Sequence, residues 1–207
     1  MQTTDVKIVN GTYRNIEIKD AVFPLVKEYK EGLIVLSGSK YGEVSNKIIN
    51  VGEKQASEAC SWWKEIFLDD FYLEMNIHGE EENEIINTQL LKFSKTHNVK
   101  LIATNNTKYI SKEDANAHDI LLCVKDGQQQ STPIGKGRGF RYGLKNQEYY
   151  FKTSDEMTKI FKNYPSAINN ISDLVEKVEF YDLSREVLLP KFSIPENFKS
   201  KSDDIET

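Results

Sequence analysis

Lys136, Arg138 and Arg141 lie inside the nine-residue segment GKGRGFRYG, Gly135–Gly143, interleaved with Phe140 and Tyr142. The whole chain carries a formal net charge of -5, so these cations form a local patch, not part of a basic surface. Cations that meet phosphates, rings that stack on bases or sugars, and glycines that let the backbone adjust are the components of a nucleic-acid-contacting loop. Lys136, Arg138, Phe140 and Arg141 are therefore the candidate nucleic-acid-binding residues. The competing reading is a flexible loop with incidental charge.

Other segments offer weaker chemistry. SGSKYGE, Ser37–Glu43, is rich in small residues but lacks the Lys-Ser/Thr ending of a phosphate loop, and a tight turn accounts for it. TNNTKY, Thr104–Tyr109, brings amides and a hydroxyl but no nucleophile, base or strong metal ligand, and reads as a polar turn with Asn side chains bonding the backbone. His78, His97 and His118 have no His or Cys neighbour at metal spacing, so a zinc site built from this chain alone is not expected. His97 suits the negative end of a helix dipole, and His118, with Asp114 and Asp119, a solvated helix face. Trp62 and Trp63 read as one half-exposed and one core ring. Cys60 and Cys123 are expected to be buried thiols in a cytoplasmic protein, not a disulfide.

The elements that must position these residues follow from periodicity. Asp20 is expected to cap a helix over 21–29 with Val22, Leu25, Val26 and Tyr29 on one face. Leu33–Leu36 (LIVL) is apolar throughout and reads as a parallel strand buried on both faces. A helix over about 53–67 presents Ala56, Ala59, Cys60, Trp63 and Phe67. Phe71–Ile77 reads as an alternating strand, and GEEENE opens a helix bearing Ile85, Ile86, Leu90, Leu91 and Phe93. Val99–Ala103 is a strand, and Glu113–Val124 a helix with Ala117, Leu121 and Leu122 inward. Residues 126–146 read as a long polar loop and Tyr149–Phe151 as a last short strand. Helices are expected after Ser154, at a capping-box spacing, and after Pro165. Strand–helix alternation implies an α/β class with a largely parallel sheet and a helical C-terminal part.

The composition fits an ordinary folded domain: 207 residues, 27 Lys+Arg against 32 Asp+Glu, and 39% hydrophobic. A chain of that length can bury about 70% of its extended surface, so neither disulfides nor a metal is needed to hold a core. No apolar run approaches the ~18 residues of a membrane span, and the N-terminus carries no secretory pattern.

LIVLSGSKYGEV, FYLEMNIHGEEENE, KLIATNNTKYISKEDANAHDILLCVKDGQ and EVLLPKFSIPE, in that order, resemble the bacterial DNA polymerase III alpha-subunit family, in its polymerase-and-histidinol-phosphatase (PHP) domain. The likeness covers about residues 30–196. It implies an irregular β/α barrel with a metal cluster at the strand ends. The family's His-rich opening strands have no counterpart before residue 30. The chain is thus expected to hold a partial PHP domain over 1–195, its N-terminal strands missing, with 196–207 a linker toward the polymerase palm. The resemblance also implies that three ligand positions have changed. Ser39 stands where metal-competent members have Cys, and Asn106 and Lys108 stand where they have Asp and His.

Two readings of function follow from that resemblance. One is a fragment of the replicative polymerase whose degenerate PHP domain is a scaffold and partner-docking module in DNA replication. It needs no cofactor of its own, Mg2+ serving the palm of the parent. The parent would engage primer–template DNA, dNTPs, the proofreading exonuclease and the sliding clamp, and no membrane. The alternative is a metal-dependent phosphoesterase, either a 3′–5′ proofreading exonuclease or a pyrophosphatase.

Overall fold

β2, Phe71–Asn76, is the middle strand of a three-stranded parallel sheet in a computed structural model that describes residues 25–179 and Ser184. β1 is Val35–Leu36 and β3 is Lys100–Thr104, in the order β1-β2-β3. The register runs from Tyr72 opposite Lys100 to Asn76 opposite Thr104, while β1 contributes only Val35 opposite Phe71 and Leu36 opposite Tyr72. A middle strand flanked on both edges and covered on both faces has no solvent side. Phe71, Tyr72, Leu73 and Met75 are accordingly all buried, although the sequence alternates.

The helices are α1 (Glu43–Asn50), α2 (Glu53–Phe67), α3 (Glu81–His97), α4 (Ala115–Asp126), α5 (Ser154–Ile160) and α6 (Pro165–Glu176). Short 3-10 turns over Leu68–Asp70 and Lys112–Asp114 lead into β2 and α4. α2 buries the predicted Ala56, Ala59, Cys60, Trp63 and Phe67. The Trp63 ring stacks on Phe67 and Phe71, and its Nε1 donates to Glu43 Oε2 at 2.9 Å, tying α1 to α2. Each fully buried aromatic or aliphatic side chain here contributes about 1.5–3 kcal/mol of hydrophobic burial. α3 starts with Glu81, Glu82 and Glu84 and ends with Lys95 and His97, charges that match both ends of its dipole. It stops at Asn98, whose φ of 51° is a conformation Asn tolerates better than most residues. His97 Nε2 lies 2.8 Å from Ser57 Oγ, a link from α3 to α2.

Several expectations are corrected. Leu33–Leu36 is not buried on both faces. Only Val35 and Leu36 are strand, and Leu33 and Leu36 are 44% and 41% exposed, because β1 is the sheet edge among the described residues. The 21–29 helix lies partly outside the described residues, as do the Asp20 cap and Val22. Within residues 25–28 only Val26 is buried, and Leu25 and Tyr29 face solvent. α1 was not anticipated. α3 turns Ile85 outward and buries Asn83 and Asn87 instead. α4 is rotated from its expected face: Ala117 and Leu121 are exposed, Leu122 is half-buried, and Cys123 is the buried residue. The Tyr149–Phe151 strand reduces to one parallel bridge between Tyr109 and Tyr150. α5 is capped by Thr153, not Ser154: the Thr153 hydroxyl accepts from Glu156 N, and the Glu156 carboxylate accepts from Thr153 N.

The chain divides into two units, Met1–Lys177 and Val178–Thr207. The proposed linker 196–207 and the LLPKF segment lie outside the described residues. Cys60 and Cys123 are both buried free thiols, and burial pushes the Cys60 thiol up to about 12. No helix among the described residues is long and apolar enough to cross a membrane.

Candidate functional site

The carboxyl ends of β2 and β3 are where an α/β fold places its ligands. β2 leaves the sheet at Asn76 and reaches His78, Gly79 and Glu80, the last of these the N-cap of α3. β3 leaves at Thr104 into Asn105. Between them the chain brings up Lys40 from the Ser37–Gly42 turn and the segment 146–152 from far downstream.

These residues form a closed polar network. His78 is 2% exposed, and its Nε2 lies 2.6 Å from the Asn105 carbonyl. A carbonyl only accepts, so Nε2 carries the proton. The imidazole stacks on the Tyr149 ring with centroids 4.1 Å apart and planes 12° apart. Burial holds the His78 pKa below its ordinary value, against the opposing pull of the Asn105 carbonyl. The Tyr149 hydroxyl donates to Glu80 Oε1 at 2.6 Å, and Lys40 Nζ to Glu80 Oε2 at 3.2 Å. Burial alone would raise the Glu80 carboxyl, but these two donors bring it below the ordinary carboxylate value. Glu148 takes Lys112 at 2.7 Å on one side and Lys152 at 3.6 Å on the other. Asn146 Nδ2 donates to the His78 carbonyl at 2.7 Å, locking the downstream segment onto the β2 exit.

The expected turn chemistry of TNNTKY is present. Asn105 Nδ2 donates to the Tyr150 carbonyl at 2.6 Å and to Thr107 Oγ1 at 3.2 Å, and Asn106 has φ 46°. Lys108 is exposed, its backbone N–H donating to the Tyr149 carbonyl. It therefore puts no ammonium among the strand-end groups; Lys40 and Lys152 do. Neither lysine is signalled by any short-range pattern.

The donor set does not fit a metal cluster. Glu80 and Glu148 are both taken by ammonium groups, and Ser39, Asn106 and Lys108 supply no carboxylate, thiolate or imidazole. Among the described residues, no group of three or more His, Cys, Asp or Glu is placed to hold an ion.

The Gly135–Gly143 loop divides in two. Arg141 is not a free cation: its side chain is 4% exposed and grips Asp119 of α4 bidentately at 2.6 and 2.9 Å. Its Nε donates to the Thr132 carbonyl at 2.8 Å. The need to satisfy this buried guanidinium explains why α4 turns Asp119 inward and Leu121 outward. Lys136 and Arg138 are exposed, with Glu82 3.7 Å from Lys136, and Phe140 is half-exposed over Gly135.

A family model for the PHP domain matches residues 5–78. The DNA polymerase III subunit alpha of Borreliella burgdorferi is 30% identical over 208 residues, covering all of this chain and 17% of its own length. The subunits named alike from Campylobacter jejuni and Helicobacter pylori are each 34% identical over 74% of the chain and cover 13% of their own lengths. The chain is a PHP-domain relative of DNA polymerase III alpha subunits. It spans less than a fifth of the length of those relatives. The family match starts at residue 5, upstream of Lys30, and of the three histidines it includes His78 alone.

Proposed function

We propose that this chain is a non-catalytic PHP-type scaffold of a replicative DNA polymerase III alpha subunit. In this reading its parallel sheet is a section of an irregular β/α barrel over 1–195, with 196–207 leading toward the palm. The parent, a cytoplasmic DNA-directed DNA polymerase, acts with Mg2+ on primer–template and dNTPs and works with the proofreading exonuclease and the sliding clamp. The observation that carries the scaffold role is the occupation of the strand-end carboxylates Glu80 and Glu148 by Lys40, Lys112 and Lys152. Hydrolysis of a phosphoester at such a site needs a metal-activated water, and these two carboxylates are held by lysines in place of an ion. The purified chain is therefore expected to release no nucleotide from a 3′-labelled primer and no phosphate from pyrophosphate, with Mg2+, Mn2+ or Zn2+ present. Metal-dependent turnover abolished by Glu80→Gln would overturn the reading in favour of a phosphoesterase.

The nucleic-acid contact proposed for the loop rests on Lys136 and Arg138, with Phe140 as a stacking ring and Arg141 as their internal brace. Phosphate contacts position a duplex without reading its sequence. In the full-length polypeptide, Lys136→Ala with Arg138→Ala is expected to weaken primer–template binding equally for all sequences and to flatten its log–log salt slope by up to ~2. An unchanged slope, measured by fluorescence anisotropy across a salt series, would remove the loop from the interface.

A further inference from the structure

Lys152 has a side chain only 1% exposed, yet no single carboxylate meets it squarely. Its Nζ lies 3.2 Å from Asn105 Oδ1 and 3.6 Å from Glu148 Oε2, bonds the Glu148 main-chain carbonyl, and sits 4.2 Å from the Tyr150 ring centroid. An amide oxygen, a main-chain carbonyl and a carboxylate are the hard oxygen donors that a small cation takes, and an aromatic face adds a further attraction for positive charge. They come from two separate places in the chain, the exit of β3 and the segment 148–152.

We propose that Lys152 is a tethered cation: its ammonium fills an oxygen-lined cradle that cross-links the β3 exit to the 148–152 segment, doing without metal what an ion would do there. The proposal rests on the scaffold reading only in taking the strand ends to be free of metal. Tethering has a physical advantage over a free ion. The ammonium is part of the folding chain, so no binding equilibrium limits its occupancy, and no chelator can remove it. Its nearest carboxylate, Glu148, is shared with Lys112 on the exposed side, so the neutral oxygens of Asn105 and the Glu148 main chain take up the rest of the ammonium's bonding. Shortening Lys152 would leave the donors converging on a vacated space of ammonium size.

The test is thermal unfolding of the whole chain. Wild type should show the same Tm with EDTA and with millimolar Mn2+. Lys152→Ala should melt roughly 10 °C lower, the shift expected for breaking a buried charge network in a protein of this size. Methylammonium at tens of millimolar should restore part of that loss in Lys152→Ala and none in Lys112→Ala, which lacks only the outer partner of Glu148. If Lys152→Ala does not fold unaided, refolding with and without methylammonium gives the same reading, and equal recovery in both would overturn the proposal. It would also be overturned by an unchanged Tm in Lys152→Ala, by equal rescue of Lys112→Ala, or by a wild-type Tm that follows EDTA or Mn2+. A chelator-sensitive Tm without turnover would sink the tethered cation and leave the non-catalytic scaffold standing, whereas metal-dependent turnover with a chelator-insensitive Tm would do the reverse.

Discussion

Gly42→Ala is expected to lower the free energy of unfolding by about 3 kcal/mol, the upper part of the usual range for overpacking. A Cβ at this position would lie 2.0 Å from the Ser37 carbonyl oxygen and 3.0 Å from the Gly38 Cα. Both are backbone atoms, so no side chain can rotate away to make room. The conformation is not the reason: Gly42 has φ −65° and ψ 155°, which any residue adopts, and the demand is one of close approach alone. The turn it closes carries Lys40 to Glu80 and ends in the N-terminus of α1, so displacement there loosens the strand-end network as well as α1. Urea denaturation followed by tryptophan fluorescence measures the change. Gly135→Ala is the control, because its Cβ would meet only the ring of the half-exposed Phe140, a side chain that can move. Equal losses in Gly42→Ala and Gly135→Ala would show that the Ser37 contact is not the cause.

Acid should weaken the protein in two stages. His78 is buried as the neutral imidazole, with a folded pKa held below the ordinary 6.5 by burial. A group with a depressed folded pKa stabilises the fold fully above its unfolded pKa. That contribution is lost as pH falls from about 6.5 toward the folded value, because the unfolded chain takes up the proton first. The second stage belongs to carboxylates. Glu148, lowered chiefly by its hydrogen bond from Lys112, and Glu80 lose their contributions as pH falls below about 4.5 through their own folded values. Glu156, lowered to about 2 by the Thr153 backbone N–H and the Tyr150 and Thr153 hydroxyls, gives up its share last. A series of urea midpoints between pH 8 and pH 4 tests this, with His78→Gln as the comparison. The variant should be less stable at pH 8 but flatter between pH 6.5 and 5. Parallel curves for the two proteins would mean that His78 is not the group responsible for the first stage.

What the sequence disclosed, and what it withheld, divides along local against distant pairing. α2, β2, α3 and β3 were legible because each announces itself within its own length: apolar spacing in Ala56–Phe67, an acidic start and a basic end around α3, and β-branched or aromatic runs bounded by turns. α1 is hidden because its eight residues follow a glycine N-cap with no side-chain cap bond and carry few apolar residues. Leu33–Leu36 reads as a strand buried on both faces because composition reports hydrophobicity, not position in the sheet. α4 misled for the opposite reason. Its Ala117, Leu121 and Leu122 read as a core face, but the helix turns Asp119 inward to Arg141, 22 residues away. The same distance problem hid the strand-end network. His78 could be placed at a strand end, but its stacking partner Tyr149 and the union of Lys152 with Asn105, 47 residues apart, depend on how the chain folds back. The GKGRGFRYG segment was visible as a cluster of cations, and only the fold separates Arg141, which braces, from Lys136 and Arg138, which face solvent.

The two thiols give the protein a pair of internal clocks. Alkylating reagents attack the thiolate, and Cys60, wholly buried in α2 with its thiol pushed up to about 12, offers almost none while the fold is closed. Its labelling therefore counts openings large enough to part α2 from the sheet. Cys123 is also buried, but on a helix whose outer residues Leu121 and Val124 are wet, and a smaller local excursion exposes it. The ratio of the two labelling rates, read from one peptide map of one unmodified sample, separates fraying at the α4 end of the molecule from unfolding of its core.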